Sequence, residues 1–469
     1  MQRMNQYKQH RCIRGQNRMN NKHQRHPELL IPASNLEVLK TAVIFGADAV
    51  YIGGEAFGLR AKAKNFSMED MQEGIRFAHA HNAKVYVTAN ILAHNEDLEG
   101  IREYFQELSQ FDPKPDALII SDPGVFEIAT EICPDIERHI STQANNTNYG
   151  TYNFWHRMGA SRVVTARELS LKEIKELREK IPAELEIETF VHGAMCISYS
   201  GRCLLSSYFT SRDANRGACT HPCRWKYHLV EEQRPGEYLP VYENERGTYI
   251  MNSKDLCMIE HIPELVEAGI DSFKIEGRMK NALYVATVAR TYRRAIDDYL
   301  VSRDLYERNL PWYLDQISNC TYRQFTTGFF FGKAEESAQI YDNNTYIQEY
   351  IYLGIVGDVV TQVPVQTEGV SQAEDELNLN TAYQDSVTPM EENVDRRFYH
   401  IEQRNKFTVG DIIEVMKPDG SNVDAKVLRI LDHKGIEQES CPHSRQELYI
   451  ELDQRAEQYD ILRMQKVND

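Results

Sequence analysis

From Pro27 to Ile275 short apolar runs alternate with amphipathic stretches, and no other feature of this 469-residue chain restricts its fold as much. The apolar runs are Glu28–Pro32, Ala49–Gly53, Lys84–Ala89, Ala117–Ser121, Arg138–Thr142, Arg162–Thr165, Leu185–Val191 and Ser272–Ile275. Between them, stretches such as Leu36–Phe45 and Met68–His81 place apolar side chains at helical spacing. Strand and helix in repeated alternation predict parallel strands joined by crossover helices. So many units without a glycine-rich dinucleotide fingerprint favour a closed TIM-like barrel over a doubly wound sheet. The expected fold is therefore α/β, a TIM-like barrel over residues 27–310, closed by a helix at Ala282–Tyr299.

The flanking segments read differently. Residues 1–26 hold seven Arg or Lys and no acid, and lack apolar periodicity, which predicts a disordered basic tail. Residues 311–345 read as a linker region. Residues 346–469 cluster apolar positions at Tyr346–Val360, Asp411–Met416, Ala425–Leu431 and Glu447–Leu452, with a turn at Pro418-Asp419-Gly420. That pattern predicts a small C-terminal antiparallel β-barrel, interrupted by a solvated acidic insertion over 361–397. The formal charge of -17 is concentrated here: from Tyr341 to the end there are 25 acidic and 12 basic residues. A broadly basic nucleic-acid binder is excluded, whereas a local basic surface elsewhere is not. No apolar run reaches membrane-spanning length and the N-terminus lacks a secretory apolar core, so a cytoplasmic protein with no membrane partner is expected.

In a barrel of this kind the residues just past each strand line the mouth where chemistry is done. They are Asn90, Asp122, Gln143, Arg167, Glu168, His192, Lys274, Glu276 and Arg278. Before the last strand comes a cysteine-rich insertion at about 196–258. Five of the nine cysteines lie there: Cys196, Cys203, Cys219, Cys223 and Cys257. Thiolates are soft donors suited to zinc or iron-sulfur, and the wide gap between Cys196 and Cys203 departs from the two close pairs of a structural zinc site.

The segment Glu188-Thr189-Phe190-Val191-His192-Gly193-Ala194-Met195-Cys196, with Gly201-Arg202-Cys203-Leu204-Leu205-Ser206 after it, resembles the signature of the U32 peptidase family. The likeness extends through Leu59–Phe66, Asn252–Leu256 and Lys274–Asn281 and spans about Pro27 to the C-terminus. Despite its name the family includes oxygen-independent hydroxylases that hold a four-iron four-sulfur cluster on four cysteines. The resemblance implies Cys196, Cys203 and Cys219 as three ligands and Cys257 as the fourth, with Cys223 the alternative.

One barrel, one cysteine set and a small C-terminal β-barrel are similar to the tRNA uridine hydroxylase branch, which makes 5-hydroxyuridine at the wobble position with prephenate as the hydroxyl source. The partners so implied are the tRNA anticodon region, prephenate and a second family member as a heteromeric partner. Arg60, Lys62, Arg167, Lys274 and Arg278 are then candidates for carboxylate or phosphate contacts. Tyr199, with Trp225 and Tyr227, is a candidate for stacking an extruded base. His192, Glu276 and Asp122 are candidate proton-transfer groups, and His192 is alternatively a residue steadying the cysteine loop. The rivals are a collagenase-like peptidase, another RNA or small-molecule hydroxylase of the family, and a non-catalytic RNA-binding subunit. No His-Glu-x-x-His or Gly-x-Ser-x-Gly motif supports the first.

Overall fold

The computed structural model describes residues 26–55, 57–58, 65–196, 198–225, 228–229, 239–240, 252–320, 323–332, 339–340, 349–361 and 397–466. The N-terminal tail, nearly all of the acidic insertion, Arg60, Lys62 and Tyr227 lie outside the described residues. The chain divides into two compact units, Met1–Glu349 and Tyr350–Asp469.

Eight parallel strands close the first unit into a barrel: β1 (Glu28–Pro32), β2 (Ala49–Gly53), β3 (Lys84–Ala89), β4 (Ala117–Ile120), β5 (Glu137–Ile140), β6 (Arg162–Val164), β7 (Glu186–Ala194) and β9 (Ser272–Ile275). β9 pairs with both β1 and β7, which completes the ring. Between β7 and β9 the insertion contributes β8 (Asp255–Cys257), antiparallel to β7. The crossover helices α1 (Leu36–Ile44), α2 (Met68–Ala80), α3 (Asn95–Ser109), α4 (Pro123–Ile132), α5 (Tyr149–Arg157) and α6 (Leu171–Lys180) start at side-chain caps. Asn35, Ser67, Asp122, Asn148 and Ser170 each accept a backbone N–H there, satisfying a donor that a helix end leaves orphaned.

The barrel interior is apolar on one side, with Leu30, Tyr51, Tyr86 and Ile119 in contact, and ionic on the other. Arg162 Nη1 lies 2.6 Å from Glu28 and 3.1 Å from Glu188, and Lys274 Nζ donates to Glu188 at 2.6 Å. Burial pushes the Glu188 carboxyl up, and Lys274 and Arg162 more than reverse it, holding it below the usual carboxylate range. The network is closed by Tyr86 and Ser272 hydroxyls donating to Glu28, so each buried charge has a partner.

After a short insertion helix, α7 (Leu205–Thr210), and α8 (Ile262–Glu267), the barrel is covered by α9 (Ala282–Val301) and α10 (Arg303–Ser318). α10 corrects the expectation of a linker from residue 311. Pro311 removes one helical hydrogen bond, but burial of Tyr306, Tyr313 and Ile317 carries the helix through it. A further strand, β10 (Phe325–Thr326), pairs with β8 and so also belongs to the first unit.

The second unit is all β: β11 (Tyr350–Val360), β12 (Phe398–Glu402), β13 (Ile412–Met416), β14 (Asn422–Asp432), β15 (Glu437–Gln438), β16 (Glu447–Leu452) and β17 (Ile461–Gln465). All but β15 close into an antiparallel barrel in the order β13-β17-β11-β12-β16-β14, with β14 returning to β13. Leu353, Ile401, Val415, Val427, Ile450 and Leu462 fill its core. Among the described residues no helix is long and apolar enough to cross a membrane.

Candidate functional site

The mouth at the strand ends is polar and tightly knit. Asn90, past β3, donates to the Ser141 hydroxyl past β5 at 3.2 Å, and Ser121, past β4, donates to the Asn90 carbonyl at 3.2 Å. Past β9, the buried Arg278 turns back across the mouth to Thr88 Oγ1 at 3.3 Å and Asn65 Oδ1 at 3.1 Å. Its guanidinium lies where a side chain on residue 53 would stand: a Cβ on Gly53 would come within 1.6 Å of Nη2. The absence of a side chain at the end of β2 is therefore what admits Arg278. Glu276 is half-buried beside it, 3.3 Å from the Tyr51 hydroxyl, and Arg167 stacks over the Phe190 ring at 3.9 Å while donating to the Ala194 carbonyl. Glu168, next to Arg167, is raised above the usual carboxylate range by burial.

Over this mouth sits a lobe whose described residues are 196 and 198–225. Asn145, in the left-handed conformation, donates to the Ser200 carbonyl at 3.0 Å, and Leu92 N–H donates to the Asn215 carbonyl at 3.1 Å. Arg216 anchors the lobe to α3 through Asp97 at 2.8 Å. Inside it, Ser206, Thr210 and Thr220 form a hydroxyl cluster that ties α7 to the segment carrying Cys219 and Cys223. Cys196 and Cys219 are exposed and Cys203 and Cys223 half-exposed, with His221 N–H pointing at Cys219 Sγ at 3.4 Å.

Cys257 is placed differently. It stands on β8 opposite His192, its sulfur 3.9 Å from the Tyr292 hydroxyl, and burial pushes its thiol up to about 12. Among the described residues no three His, Cys, Asp or Glu side chains converge in a metal-binding arrangement. What speaks for an iron-sulfur cluster is donor type: Cys196, Cys203, Cys219 and Cys223 are soft thiols at least partly exposed on the lobe, and Cys257 is a further thiol on β8.

Three expected site residues are occupied otherwise. Lys274 does not reach the mouth, because it points into the barrel and pairs with Glu188. Asp122 caps α4, accepting from Gly124 and Val125 N–H groups. His192 faces the helical layer, because the register between β7 and β9 shifts at Lys274/Ile275. Its ring packs among Tyr284, Tyr292 and Phe325, and burial lowers it to about 4, so it is neutral and shut off from solvent at pH 7. Glu276, Arg167 and Arg278 do lie at the mouth, and Tyr199 is exposed on the lobe. Sequence reasoning missed Thr88 and Asn65, which hold Arg278, and Asn145, which holds the lobe. Thr88 sits near the end of β3, Asn65 ahead of α2 and Asn145 past β5, and only those places hinted at them.

The sequence profile of Peptidase family U32 matches residues 34–340, and that of the Peptidase family U32 C-terminal domain matches residues 386–463. The chain is 38% identical over 440 residues to tRNA hydroxylation protein P1 of Bacillus subtilis, covering 94% of this chain and 95% of that one. It is 37% identical over 435 residues to tRNA hydroxylation protein P of Escherichia coli, covering 84% and 87% respectively. Bacillus subtilis tRNA hydroxylation protein P2 is 39% identical over 308 residues, 65% of this chain and 97% of that one.

Proposed function

The chain belongs to peptidase family U32, and from that membership we propose that it is a tRNA hydroxylase which forms 5-hydroxyuridine at the wobble position, with prephenate as hydroxyl source. The observation that carries the reading is the alignment with tRNA hydroxylation proteins along nearly the whole chain, including the thiol lobe and the mouth beneath it. A four-iron four-sulfur cluster is proposed on Cys196, Cys203, Cys219 and Cys257, with Cys223 in place of Cys257 as the alternative. When bound, it supplies one-electron chemistry at thiolate-held iron.

The remaining work falls to the protein's own side chains. Arg278, fixed by Thr88 and Asn65, presents a guanidinium at the mouth and so suits a carboxylate of the co-substrate. Arg167, flat on Phe190, offers a second. Glu276, half-buried and bonded to Tyr51, is placed to hold or move a proton there. A second family member as partner also belongs to the proposal, since Bacillus subtilis holds two relatives, P1 and P2.

The test is nucleoside mass spectrometry of total tRNA from cells with and without the gene, in a host lacking other family members. Loss of 5-hydroxyuridine and its derivatives on deletion supports the reading. Unchanged tRNA nucleosides reject it.

A further inference from the structure

The thiol lobe carries, beside its cysteines, a group of outward-facing aromatic rings, and we infer that this is the surface on which a single-stranded RNA loop stacks. The inference rests on the tRNA reading and extends it by naming the surface. Tyr208 is 82% exposed, Trp225 45% and Phe209 42%. Tyr208 and Phe209 meet edge to face at 5.1 Å, and Phe209 and Trp225 are tilted at 6.1 Å. Large rings clustered at the surface of an insertion, rather than packed beneath it, mark a binding face.

Charge selects the occupant. Between Cys196 and Trp225 there are four arginines, Arg202, Arg212, Arg216 and Arg224, against one acid, Asp213, in a chain whose formal charge is -17. Arg216 is committed to Asp97, while Arg202 is exposed. Exposed aromatic faces on an arginine-rich lobe fit unpaired bases on a phosphate backbone, since every base offers a π-face and each phosphate a negative charge. Duplex RNA keeps its bases stacked internally and cannot use the rings. A protein partner would meet this face by apolar contact and be indifferent to competing RNA.

The experiment is fluorescence anisotropy of the full-length protein with a labelled anticodon stem-loop RNA, and with a fully paired hairpin of equal length. Tyr208→Ala and Trp225→Ala are each expected to weaken stem-loop binding by roughly 5- to 100-fold. Tyr208→Phe is expected to keep it, and the paired hairpin to bind weakly and alike to all variants. Phe154→Ala, at an exposed ring on α5, is expected to bind as wild type. Tyr208→Ala and Trp225→Ala proteins that are folded by circular dichroism and bind the stem-loop like wild type overturn the inference, as does equal weakening by Phe154→Ala. Retained tRNA nucleosides in the deletion strain together with ring-dependent stem-loop binding reject the hydroxylase reading and leave the surface standing. Lost nucleosides with ring-independent binding do the reverse.

Discussion

The backbone carbonyl of Glu276 occupies the space beside Gly193 in which any side chain would have to stand: a Cβ on Gly193 would lie 2.3 Å from it. Gly193 also has φ +107, which L side chains rarely adopt. The glycine of the family signature is thus required by the contact between the end of β7 and the turn after β9. Gly193→Ala is expected to cost ~2–4 kcal/mol of stability, from overpacking and backbone strain together. It should also displace Glu276, so thermal unfolding and tRNA hydroxylation should fall together.

Glu188 and Lys274 form a buried pair, and removing one partner strands the other. Lys274→Met or Glu188→Gln alone is expected to cost ~3–5 kcal/mol, and the double variant less than the sum. Denaturant titrations of all four proteins measure the coupling. The pH dependence has a definite sign. Glu188 and Glu28 are held below their ordinary value of 4.5 in the folded chain, so each contributes stability above that pH and loses it as pH falls further. The double variant should therefore lose stability less steeply on acidification below pH 4.5 than wild type does.

Asp122 separates a capping role from a catalytic one. Asp122→Ala is expected to lower stability by about 1 kcal/mol, through loss of the two N–H bonds at the start of α4, and to leave hydroxylation intact once folded. Asp122→Asn should be close to wild type in both. Hydroxylation abolished in a stable Asp122→Asn protein would return Asp122 to the chemistry.

Arg278 is the opposite case. Arg278→Lys keeps the charge but cannot reach Thr88 and Asn65 as a planar fork, so the Michaelis constant for the proposed carboxylate co-substrate is expected to rise by roughly 10- to 100-fold. Steady-state assays over co-substrate concentration, beside a melting curve, test this. An unchanged constant would remove Arg278 from the binding site.

Most strands of the barrel were legible because they are short apolar runs bounded by turn residues. Glu28–Pro32, Ala49–Gly53, Lys84–Ala89 and Ser272–Ile275 have the boundaries that the pattern predicts. β7 runs on to Ala194, past Val191, because it pairs with β8 from the insertion, a long-range contact that periodicity cannot express. The same pairing and the register shift beside it turn His192 toward Tyr292, and no local signal distinguishes that from the mouth. In the second unit Phe398–Glu402 and Ile461–Gln465 went unread, since short strands beside charged loops lack a strong alternation. The thiols of the lobe were legible as chemistry by residue type and spacing. Lys274 was not, because an inward lysine and a mouth lysine differ only in where the sheet points them.

The measurement that bears most directly on the central claim, that the thiol lobe over the barrel mouth carries out tRNA hydroxylation, is complementation of the deletion strain by wild type and by Cys196→Ala, followed by tRNA nucleoside mass spectrometry. The account predicts that wild type restores 5-hydroxyuridine and that Cys196→Ala, accumulating to the same level, restores none. Full restoration by Cys196→Ala would contradict it.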